Sequence, residues 1–357
     1  MKFAVVEYDS KSHEIWRHTD ERPNYLADPL TEIDPTSFGC YVSALSGEHI
    51  PLKSLAGAGS VWRRGTKRLT GRWPNYSLDY LAQFDVLLVV HQLADAHELV
   101  RAVQRLQQLP KHPFIIGVPT QPYGLLREAT EQDPVAKKNL IAFIKACDVF
   151  TSIVEDTVSW YQELSGVPVT YLPQPYPVEF ASKNFLPRQE KDKTIFVAGV
   201  TQRDNIKQGQ LVAKELQRQF PDYTILVPKV HDLDYDASRL EGSRYQVVPF
   251  EQWRDHLQTL AKTTLVINTD YTKTRGRVQT DCAAVGTPSL GGNSDGEIDL
   301  FPELASTPTT PTEKIIEQGK RLLSDESHYA SVVEQARQEL AKYSYEPSAQ
   351  RLRALLP

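Results

Sequence analysis

Residues 84–118 read FDVLLVVHQLADAHELVRAVQRLQQLPKHPFIIGV. The two ends, FDVLLVV (84–90) and PFIIGV (113–118), are short apolar runs rich in β-branched residues, which is typical of buried strands. Between them, AHELVRAVQRLQQL (96–109) has apolar residues at three- and four-residue spacing, as in an amphipathic helix. A strand, a helix and a second strand in this order predict a mostly parallel sheet covered by helices.

The same alternation continues on both sides of this stretch. Further strands are predicted at 3–8, 149–154, 169–173, 194–200, 223–228 and 264–269. Further helices are predicted at 136–147, 208–220, 251–262 and 278–286, with a final pair that runs to residue 353. The pattern therefore predicts an α/β fold with two Rossmann-like, doubly wound domains.

The length of 357 residues also favours two domains, because it exceeds what one hydrophobic core usually serves. The polar segment ASKNFLPRQEKDK (181–193) lacks a periodic apolar face and is the best candidate for the linker. We therefore expect an N-terminal domain at 1–180 and a C-terminal domain at 194–340. A C-terminal helix at 341–357 could cross back to the first domain.

Composition narrows the class of protein. Hydrophobic residues make up 40% and charged residues 24% of the chain, as in ordinary globular proteins, and the formal net charge of -5 gives no general attraction to nucleic acid. The three cysteines form no CxxC pair, so neither a disulfide framework nor a zinc site is predicted. Without a signal peptide or an apolar run long enough to span a membrane, the sequence predicts a cytoplasmic protein.

Four stretches together resemble the GT-B glycosyltransferases, and within them the large retaining group called family 4. ACDVFTSIVEDTVSWYQELSGVPVTYLPQPYPVEF (146–180) is similar to the family's proline-rich passage toward the interdomain linker. TIFVAGVTQRDNIKQG (194–209) is similar to the first strand and loop of its donor domain, and TLVINTDYTKTRGRVQTDCAAVGTPSLGG (264–292) to its donor-site segment. Residues 313–356 are similar to its helical tail, so the resemblance covers roughly 84–356.

The resemblance implies a function as well as a fold. It implies two Rossmann-like domains facing a cleft, with the acceptor on the first and the nucleotide-sugar on the second. It implies a hexosyltransferase that uses a nucleotide-sugar, UDP-sugar being favoured, and a glycan, a lipid-linked molecule or a protein as acceptor. No cofactor, metal or nucleic acid is implied, and peripheral contact with a membrane remains open.

The loop after the predicted strand 194–200 has the chemistry of a diphosphate site. A glycine lets the backbone approach a ligand closely, and polar side chains before a helix that starts near Gln208 can donate to phosphate oxygens. An ordinary solvated loop is the alternative. The predicted donor-binding residues of this loop are Gly199, Thr201, Gln202, Arg203 and Lys207.

The second donor segment follows the predicted strand 264–269. The family carries two acidic residues separated by seven others around a glycine; here the first position is Lys273, Gly276 fits the glycine, and Asp281 stands where the family usually has glutamate. By resemblance, Asp281 accepts from a ribose diol near the start of a helix predicted to begin near Gln279. The remaining predictions are Arg275 and Arg277 as catalytic cations on the leaving diphosphate, and Phe250, Tyr271 and Lys273 as donor contacts.

A surface salt-bridge cluster is the alternative for the charged residues of this segment, and such clusters contribute little to stability. In the first domain, His91 follows a buried strand and is a catalytic candidate at the sheet edge, with simple capping equally open. Tyr123, in the proline-rich loop 117–128, and the pair Arg63 and Arg64, in the basic stretch 62–73, are acceptor candidates. A rigid connector and a solvated loop are their respective alternatives.

Two other functions are compatible with parts of the sequence. Because Lys273 replaces an acid, the chain could be a catalytically degenerate protein that binds a nucleotide-sugar. A nicotinamide-dependent Rossmann enzyme is less favoured, because VAGVTQRD is not GxGxxG. Asp232 and Asp234 lie in a polar loop without a metal-binding context, so the sequence predicts no metal requirement.

Overall fold

A computed structural model describes residues 1–7, 16–17, 38–52, 69, 78–93, 96–198, 203–229, 237–249 and 251–357, with 16–17, 203–206 and 237–238 described by their backbone alone. The chain divides into two compact units. The first consists of Met1–Pro177 together with Tyr345–Pro357, and the second is Val178–Ser344. Each unit is built on a mostly parallel sheet, so the predicted α/β class with two parallel-sheet domains is confirmed.

The described strands of the first unit are β1 (Phe3–Glu7), β2 (Trp16–Arg17), β3 (Glu48–Pro51), β4 (Val86–His91), β5 (Phe114–Pro119), β6 (Val149–Ser152) and β7 (Val169–Tyr171). Their order in the sheet is β2-β3-β1-β4-β5-β6-β7. Among these described strands, β2 alone pairs antiparallel, and its partner is β3. Every residue of β4 is buried, which agrees with its continuous apolar run.

Helices cover both faces of this sheet. Leu99 and Phe143 belong to one buried cluster, and Tyr41 belongs to a second cluster on the opposite face. The order in which strands are added to the sheet reverses between β1 and β4: β3 lies on one side of β1, and β4 to β7 lie on the other. We call this place the reversal point of the sheet. The helices up to residue 165 are α1 (Cys40–Leu45), α2 (Ala96–Gln107), α3 (Tyr123–Gln132), α4 (Pro134–Ala146) and α5 (Val158–Ser165).

The strands of the second unit are β8 (Asp192–Val197), β9 (Thr224–Pro228), β10 (Tyr245–Val248), β11 (Thr263–Ile267) and β12 (Ser289–Leu290). Their order in the sheet is β10-β9-β8-β11-β12, and all described pairs are parallel. This corresponds to strands 3-2-1-4-5 of the Rossmann order 3-2-1-4-5-6, and the reversal point lies between β8 and β11.

The helices of the second unit are α6 (Val178–Ala181), α7 (Arg203–Gln219), α8 (Trp253–Lys262), α9 (Arg277–Val285), α10 (Asp295–Leu300), α11 (Thr312–Ser324) and α12 (Glu326–Leu340). α7 packs against α11, which also contacts α12, while α8, α10 and α12 pack against α9. The helix α9 consists mainly of small residues and is buried from its third residue onward.

The last helix, α13 (Tyr345–Arg353), belongs to the first unit. It packs against α1, and its Ala349 and Leu352 share a buried cluster with Tyr41 and Val42. The first unit is therefore assembled from both ends of the chain. No helix in the described part of the chain is long and apolar enough to cross a membrane.

Residues 181–193, the predicted linker, fall within the second compact unit. The Arg188 guanidinium donates to the carbonyl oxygens of Leu322 and Leu323 at 3.0 and 2.6 Å, at the end of α11. The Lys191 Nζ donates at 2.6 Å to the Ala261 carbonyl oxygen near the end of α8. Both cations thus bind carbonyl groups near helix C-termini, which is a favourable place for positive charge.

Several boundaries also differ from the predictions. The helix α7 begins at Arg203 rather than near Gln208, and α9 begins at Arg277 rather than near Gln279. The loop predicted at 117–128 contains the start of α3, and residues 9–83, where no helix or strand is predicted from the sequence, contain α1 and β3.

Candidate functional site

The reversal point of the second sheet places two connections side by side. The strands β8 and β11 are neighbours, with Val197 opposite Ile267, and the chain leaves β8 toward α7 and β11 toward α9. In open parallel sheets, ligands bind outside the carboxyl ends of the strands at such a point. The two predicted donor segments are the connections that leave these two strands.

Gly209 lets α7 lie close to this strand pair. A Cβ atom on Gly209 would lie 3.2 Å from the Val197 Cγ1 and 3.2 Å from the Thr269 Oγ1. Contacts that short are tighter than ordinary van der Waals packing, so a larger residue would push the helix away. Glycine at this position therefore brings the first turns of α7 against the loop that follows β11.

Tyr271 joins the two segments directly. Its hydroxyl donates to the Gln208 Oε1 at 2.9 Å and lies 3.0 Å from the Ser306 Oγ. Burial raises the pKa of the Tyr271 phenol, so it stays protonated and able to donate. The predicted segments 199–209 and 271–281 are thus in contact through Tyr271 and Gln208.

In the loop between β11 and α9, a turn closed by hydrogen bonds precedes the three cations. The Asp270 Oδ1 accepts from the Thr272 backbone N–H at 2.8 Å and from its hydroxyl at 2.7 Å, which closes a local turn. Lys273 follows with a φ of 54°, in the left-handed region that is uncommon for a residue with a side chain. Lys273, Arg275 and Arg277 are each partly exposed, and Arg277 is the first residue of α9.

Gly276 ends this loop and precedes α9. Its φ is 82°, and a Cβ atom there would lie 2.6 Å from the Gly296 Cα. Because Gly276 has no side chain to cap the helix, the positive N-terminal end of α9 is not neutralised by its own N-cap residue. The contact of Gly276 with Gly296 was not predicted, because nothing in the sequence places the loop before α9 against the start of α10.

A buried acid follows Gly296 in the sequence, next to this loop. Glu297 is fully buried, and its Oε2 accepts from the Ser289 hydroxyl at 2.9 Å. Burial raises the pKa of Glu297 well above its ordinary value, so the group favours its protonated form. Its backbone N–H donates to the Ser294 Oγ at 3.0 Å, which caps α10. Sequence reasoning missed Glu297, although Ser-x-x-Glu at 294–297 is a helix-start signal.

Asp281 lies in the second turn of α9 rather than in its first. It is 2% exposed, and its Oδ1 accepts from the Trp253 Nε1 at 3.0 Å. The partner was missed because the two residues are 28 positions apart without a shared motif. Burial raises the pKa of the neighbouring Cys282 thiol.

His91 is the last residue of β4, at the reversal point of the first sheet, and it is fully buried. Desolvation lowers its pKa from 6.5 to about 4, so the imidazole is neutral at pH 7. Its ring lies 5.1 Å from that of Phe143 between centroids, and neither ring nitrogen has a hydrogen-bond partner among the described residues. A catalytic role for His91 stays a prediction.

The other first-unit candidate that is described is Tyr123, the first residue of α3. Its ring meets Trp160 edge to face at 5.2 Å, so it contributes to local packing. Its predicted acceptor role stays untested. The predicted residues Gly199, Thr201, Gln202, Phe250, Arg63, Arg64, Asp232 and Asp234 lie outside the described part, and of Arg203 only the backbone is described.

Metal-ligating side chains do not cluster in the described ranges, where no group of three or more His, Cys, Asp and Glu residues could hold an ion.

The predicted donor residue Lys207 is the fifth residue of α7, and its side chain is partly buried.

The two-unit α/β architecture is the GT-B fold, which is the fold of a class of glycosyltransferases. No family model matches the chain, and no curated protein matches it in sequence. Similar solved structures cover nearly all of it. Sucrose-phosphate synthase from Thermosynechococcus elongatus has a TM-score of 0.62 at 14% identity, with 99% of this chain and 98% of that chain covered.

Two further structures have the same fold. The α,α-trehalose 6-phosphate synthase from Burkholderia multivorans has a TM-score of 0.67 at 10% identity, with 99% of this chain and 96% of that chain covered. Anabaena HepE, solved in complex with UDP-glucose, has a TM-score of 0.57 at 14% identity, with 78% and 80% covered. At these identities the likeness shows the fold.

Proposed function

We propose that the chain is a glycosyltransferase of the hexosyltransferase type. It transfers a sugar, with retention of stereochemistry, from a nucleotide-sugar to a glycan, a lipid-linked molecule or a protein. The observation that carries the proposal is the contact of Tyr271 with Gln208, which joins the two donor segments at the reversal point of the second sheet. Sugar-transferring proteins with the same fold, and HepE with its UDP-glucose, support a UDP-sugar as donor.

The donor diphosphate is assigned to this reversal point. A diphosphate requires backbone N–H groups at a helix start and a few cations within reach. The N-terminal end of α9 supplies the first, and Lys207, Lys273, Arg275 and Arg277 supply the second. Gly276 lets the loop that carries these cations pass against the backbone of Gly296, where a side chain would not fit.

The cations also serve the chemical step. Charge grows on the departing diphosphate in the transition state, so preorganised cations stabilise the transition state more than the bound donor. We assign this role to Arg275 and Arg277. Because these side chains and the helix dipole can neutralise the leaving group, the reaction is proposed to need no metal ion.

The remaining residues are assigned to binding. Asp281 accepts from the ribose hydroxyls, while Tyr271 shapes the donor pocket and the first unit holds the acceptor. His91, which is neutral at pH 7, can only exchange hydrogen bonds with a sugar hydroxyl and cannot act as a cation. A cytoplasmic location is proposed as well, since Cys40, Cys147 and Cys282 form no disulfide with one another.

The proposal is tested by titrating the purified chain with UDP, ADP, GDP and CDP in a calorimeter, with and without EDTA. We expect one nucleoside diphosphate to bind and EDTA to leave its Kd unchanged. Absence of binding by all four would refute the proposal, and loss of activity with EDTA would refute metal independence.

The matched pair for the chemical step is Arg277→Ala and Arg218→Ala. Arg277→Ala should lower kcat for transfer or donor hydrolysis by about 100-fold, with a smaller change in Kd, since a lost charge-assisted contact costs about 3 kcal/mol. Arg218 lies at the far end of α7, exposed and paired with Glu215 at 2.7 Å, so its variant should behave as wild type. Equal turnover in both variants would contradict the assignment.

A catalytically degenerate binder is the second candidate, favoured by Lys273 at the position of the family's first acid. It predicts nucleotide binding without turnover. Wild-type protein that binds a nucleoside diphosphate but neither hydrolyses nor transfers the corresponding sugar over hours would favour it.

A further inference from the structure

The buried Glu297 side chain connects α10 with two other elements. Its Oε2 accepts from the hydroxyl of Ser289, which begins β12, at 2.9 Å. The Gln279 side chain, in the first turn of α9, is 1% exposed and lies next to the Glu297 carboxyl group. The backbone is equally close, because a Cβ atom on Gly296 would lie 3.2 Å from the Gln279 Cβ.

The residue before Glu297 sets how closely α10 approaches the loop that precedes α9. A Cβ atom on Gly296 would lie 2.7 Å from the Gly276 carbonyl oxygen. The same carbonyl oxygen accepts from the Thr280 backbone N–H at 3.0 Å, which closes the first turn of α9. Because adjacent residues of a helix move together, a shift of Glu297 would move Gly296 against the backbone that precedes Arg277, the first residue of α9.

An ionised Glu297 would have few hydrogen bonds. Its Oε1 and both amide atoms of Gln279 have no partner of ordinary geometry among the described residues, whereas a carboxylate has about four acceptor sites. Burial raises the pKa of Glu297 well above its ordinary value, and the nearby side chains of Gln279 and Ser289 oppose this rise only in part. The carboxyl group is therefore suited to its uncharged form.

The charges around Glu297 do not favour ionisation either. The titratable groups that it affects, together with those that act on them, are Cys282 and Asp281 of α9, Tyr271 of the loop before α9, and Lys191 of the segment before β8. Lys191 is not among the groups that shift the pKa of Glu297. Lys342, beyond α12, pairs with Asp299 of α10 at 2.9 Å. In the described part of the chain, a negative charge on Glu297 would thus have no cation beside it.

We propose that Glu297 is a positioning residue: through its contacts with β12 and the start of α9, it holds Gly296 against Gly276 and so fixes the loop that carries the three cations. The uncharged form does this, because ionisation would place a negative charge next to a loop that binds a diphosphate. The inference rests on the proposed function, since it assigns the positioned loop to nucleotide binding.

The test compares Glu297→Ala with Glu297→Gln. Glutamine has the size of glutamate, keeps an oxygen for the Ser289 hydroxyl and carries no charge, whereas alanine removes these contacts. At pH 7, Glu297→Gln should bind UDP nearly as well as wild type. Glu297→Ala should bind it about 5- to 10-fold more weakly, as expected for the loss of one buried hydrogen bond. If the screen selects another base, its diphosphate is used.

A second measurement needs no nucleotide. Amide hydrogen exchange in peptides covering residues 271–280 should be about 5- to 10-fold faster in Glu297→Ala than in wild type or Glu297→Gln, because the loop opens more often. The control is Thr264→Val, since the Thr264 hydroxyl donates to the Asp192 carbonyl oxygen at 2.6 Å at the amino ends of β11 and β8. This variant loses a hydrogen bond at the opposite edge of the sheet, so exchange in 271–280 and the Kd for UDP should stay unchanged.

The pH profile shows which form of the acid acts. Because burial raises the pKa of Glu297, its uncharged form is present at low pH and is lost as the pH rises through the folded pKa. As the pH is raised from 7 to 9, the Kd of wild type for UDP should therefore rise relative to that of Glu297→Gln, which cannot ionise at this position.

Three results would overturn the inference: a folded Glu297→Ala protein with wild-type affinity or wild-type exchange, a Glu297→Gln protein that loses as much as Glu297→Ala, or parallel pH profiles. Should Glu297→Ala not fold, Ser289→Ala replaces it, because it removes the bond to the Glu297 Oε2 and should show the same two losses. Wild-type protein that binds none of the four nucleoside diphosphates would refute the proposed function, while the exchange measurement would still decide the role of Glu297.

Discussion

The two sheets reverse their strand order in the same way, yet their reversal points have opposite chemistry. In the first sheet the carboxyl end of β4 carries His91, which is fully buried and neutral, packed on Phe143. In the second sheet the corresponding loop carries three partly exposed cations, glycine at its end and an uncapped helix start. The same topology therefore gives two different sheet edges. The first carries a buried, neutral side chain, and the second suits an anion.

The fold alone therefore does not decide which of the two reversal points suits a charged ligand. Parallel strands supply the location in both units, while side-chain charge and glycine spacing separate them. Single substitutions at or near each reversal point test this difference between the two units.

The largest effect is expected from Gly276→Ala. Its left-handed φ costs an alanine about 1–2 kcal/mol, and overpacking against Gly296 adds about 1–3, for a loss of about 2–5 kcal/mol in the free energy of unfolding. The control is Gly242→Ala, where φ is 79° but no atom lies within 4 Å of the added Cβ, so only about 1–2 kcal/mol should be lost. Denaturant unfolding measures both, and equal losses would mean that the contact with Gly296 is unimportant.

The burial of the His91 imidazole should lower the free energy of unfolding in acid. The unfolded histidine binds its proton near pH 6.5 and the folded one near pH 4, so the unfolded state holds more protons between these values. Its contribution is fully present above pH 6.5 and lost as the pH falls to about 4, by about 3 kcal/mol.

The measurement is the free energy of unfolding against pH for wild type and His91→Gln. The His91 variant should show a shallower fall in this free energy between pH 6.5 and 4 than wild type. Parallel curves for wild type and His91→Gln would show that the first reversal point is not desolvated.

The smallest effect is expected from Tyr271→Phe. Losing the hydroxyl that joins Gln208 and Ser306 should cost about 1 kcal/mol of stability, which is the usual net contribution of a hydrogen bond. Tyr80→Phe is the matched control, because it removes a bond to Glu48 of 2.7 Å in the first unit. Both should lose similar stability, but only Tyr271→Phe should weaken nucleotide binding; equal affinities would separate Tyr271 from the site.

Much of the fold was predictable because burial on both faces of a parallel sheet leaves continuous apolar runs, as in β4 and β5. The edge strand β10 was missed because its residues are largely exposed and give no apolar run. The start of α7 was placed late because Arg203–Lys207 is polar and gives no periodic signal. Local sequence patterns indicate which residues are buried. Exposed strands and polar helix ends therefore leave little signal in the sequence.

The site was predictable only in its chemical content. Gly276 and the three cations were visible as a cluster in the chain. The bond of Trp253 to Asp281 and the closeness of Gly276 to Gly296 were not, because both join residues that only folding brings together. The roles of Arg188 and Lys191 were hidden for the same reason: their partners are carbonyl groups, which every sequence contains.

The membership of α13 in the first unit has a consequence for synthesis. The second unit, Val178–Ser344, is continuous and can close on itself once residue 344 has emerged from the ribosome. The first unit cannot, because the Tyr345 hydroxyl and its Cys40 partner are separated by 305 residues. Until the final helix arrives, the face formed by Tyr41 and Val42 remains uncovered, so the N-terminal half is completed last.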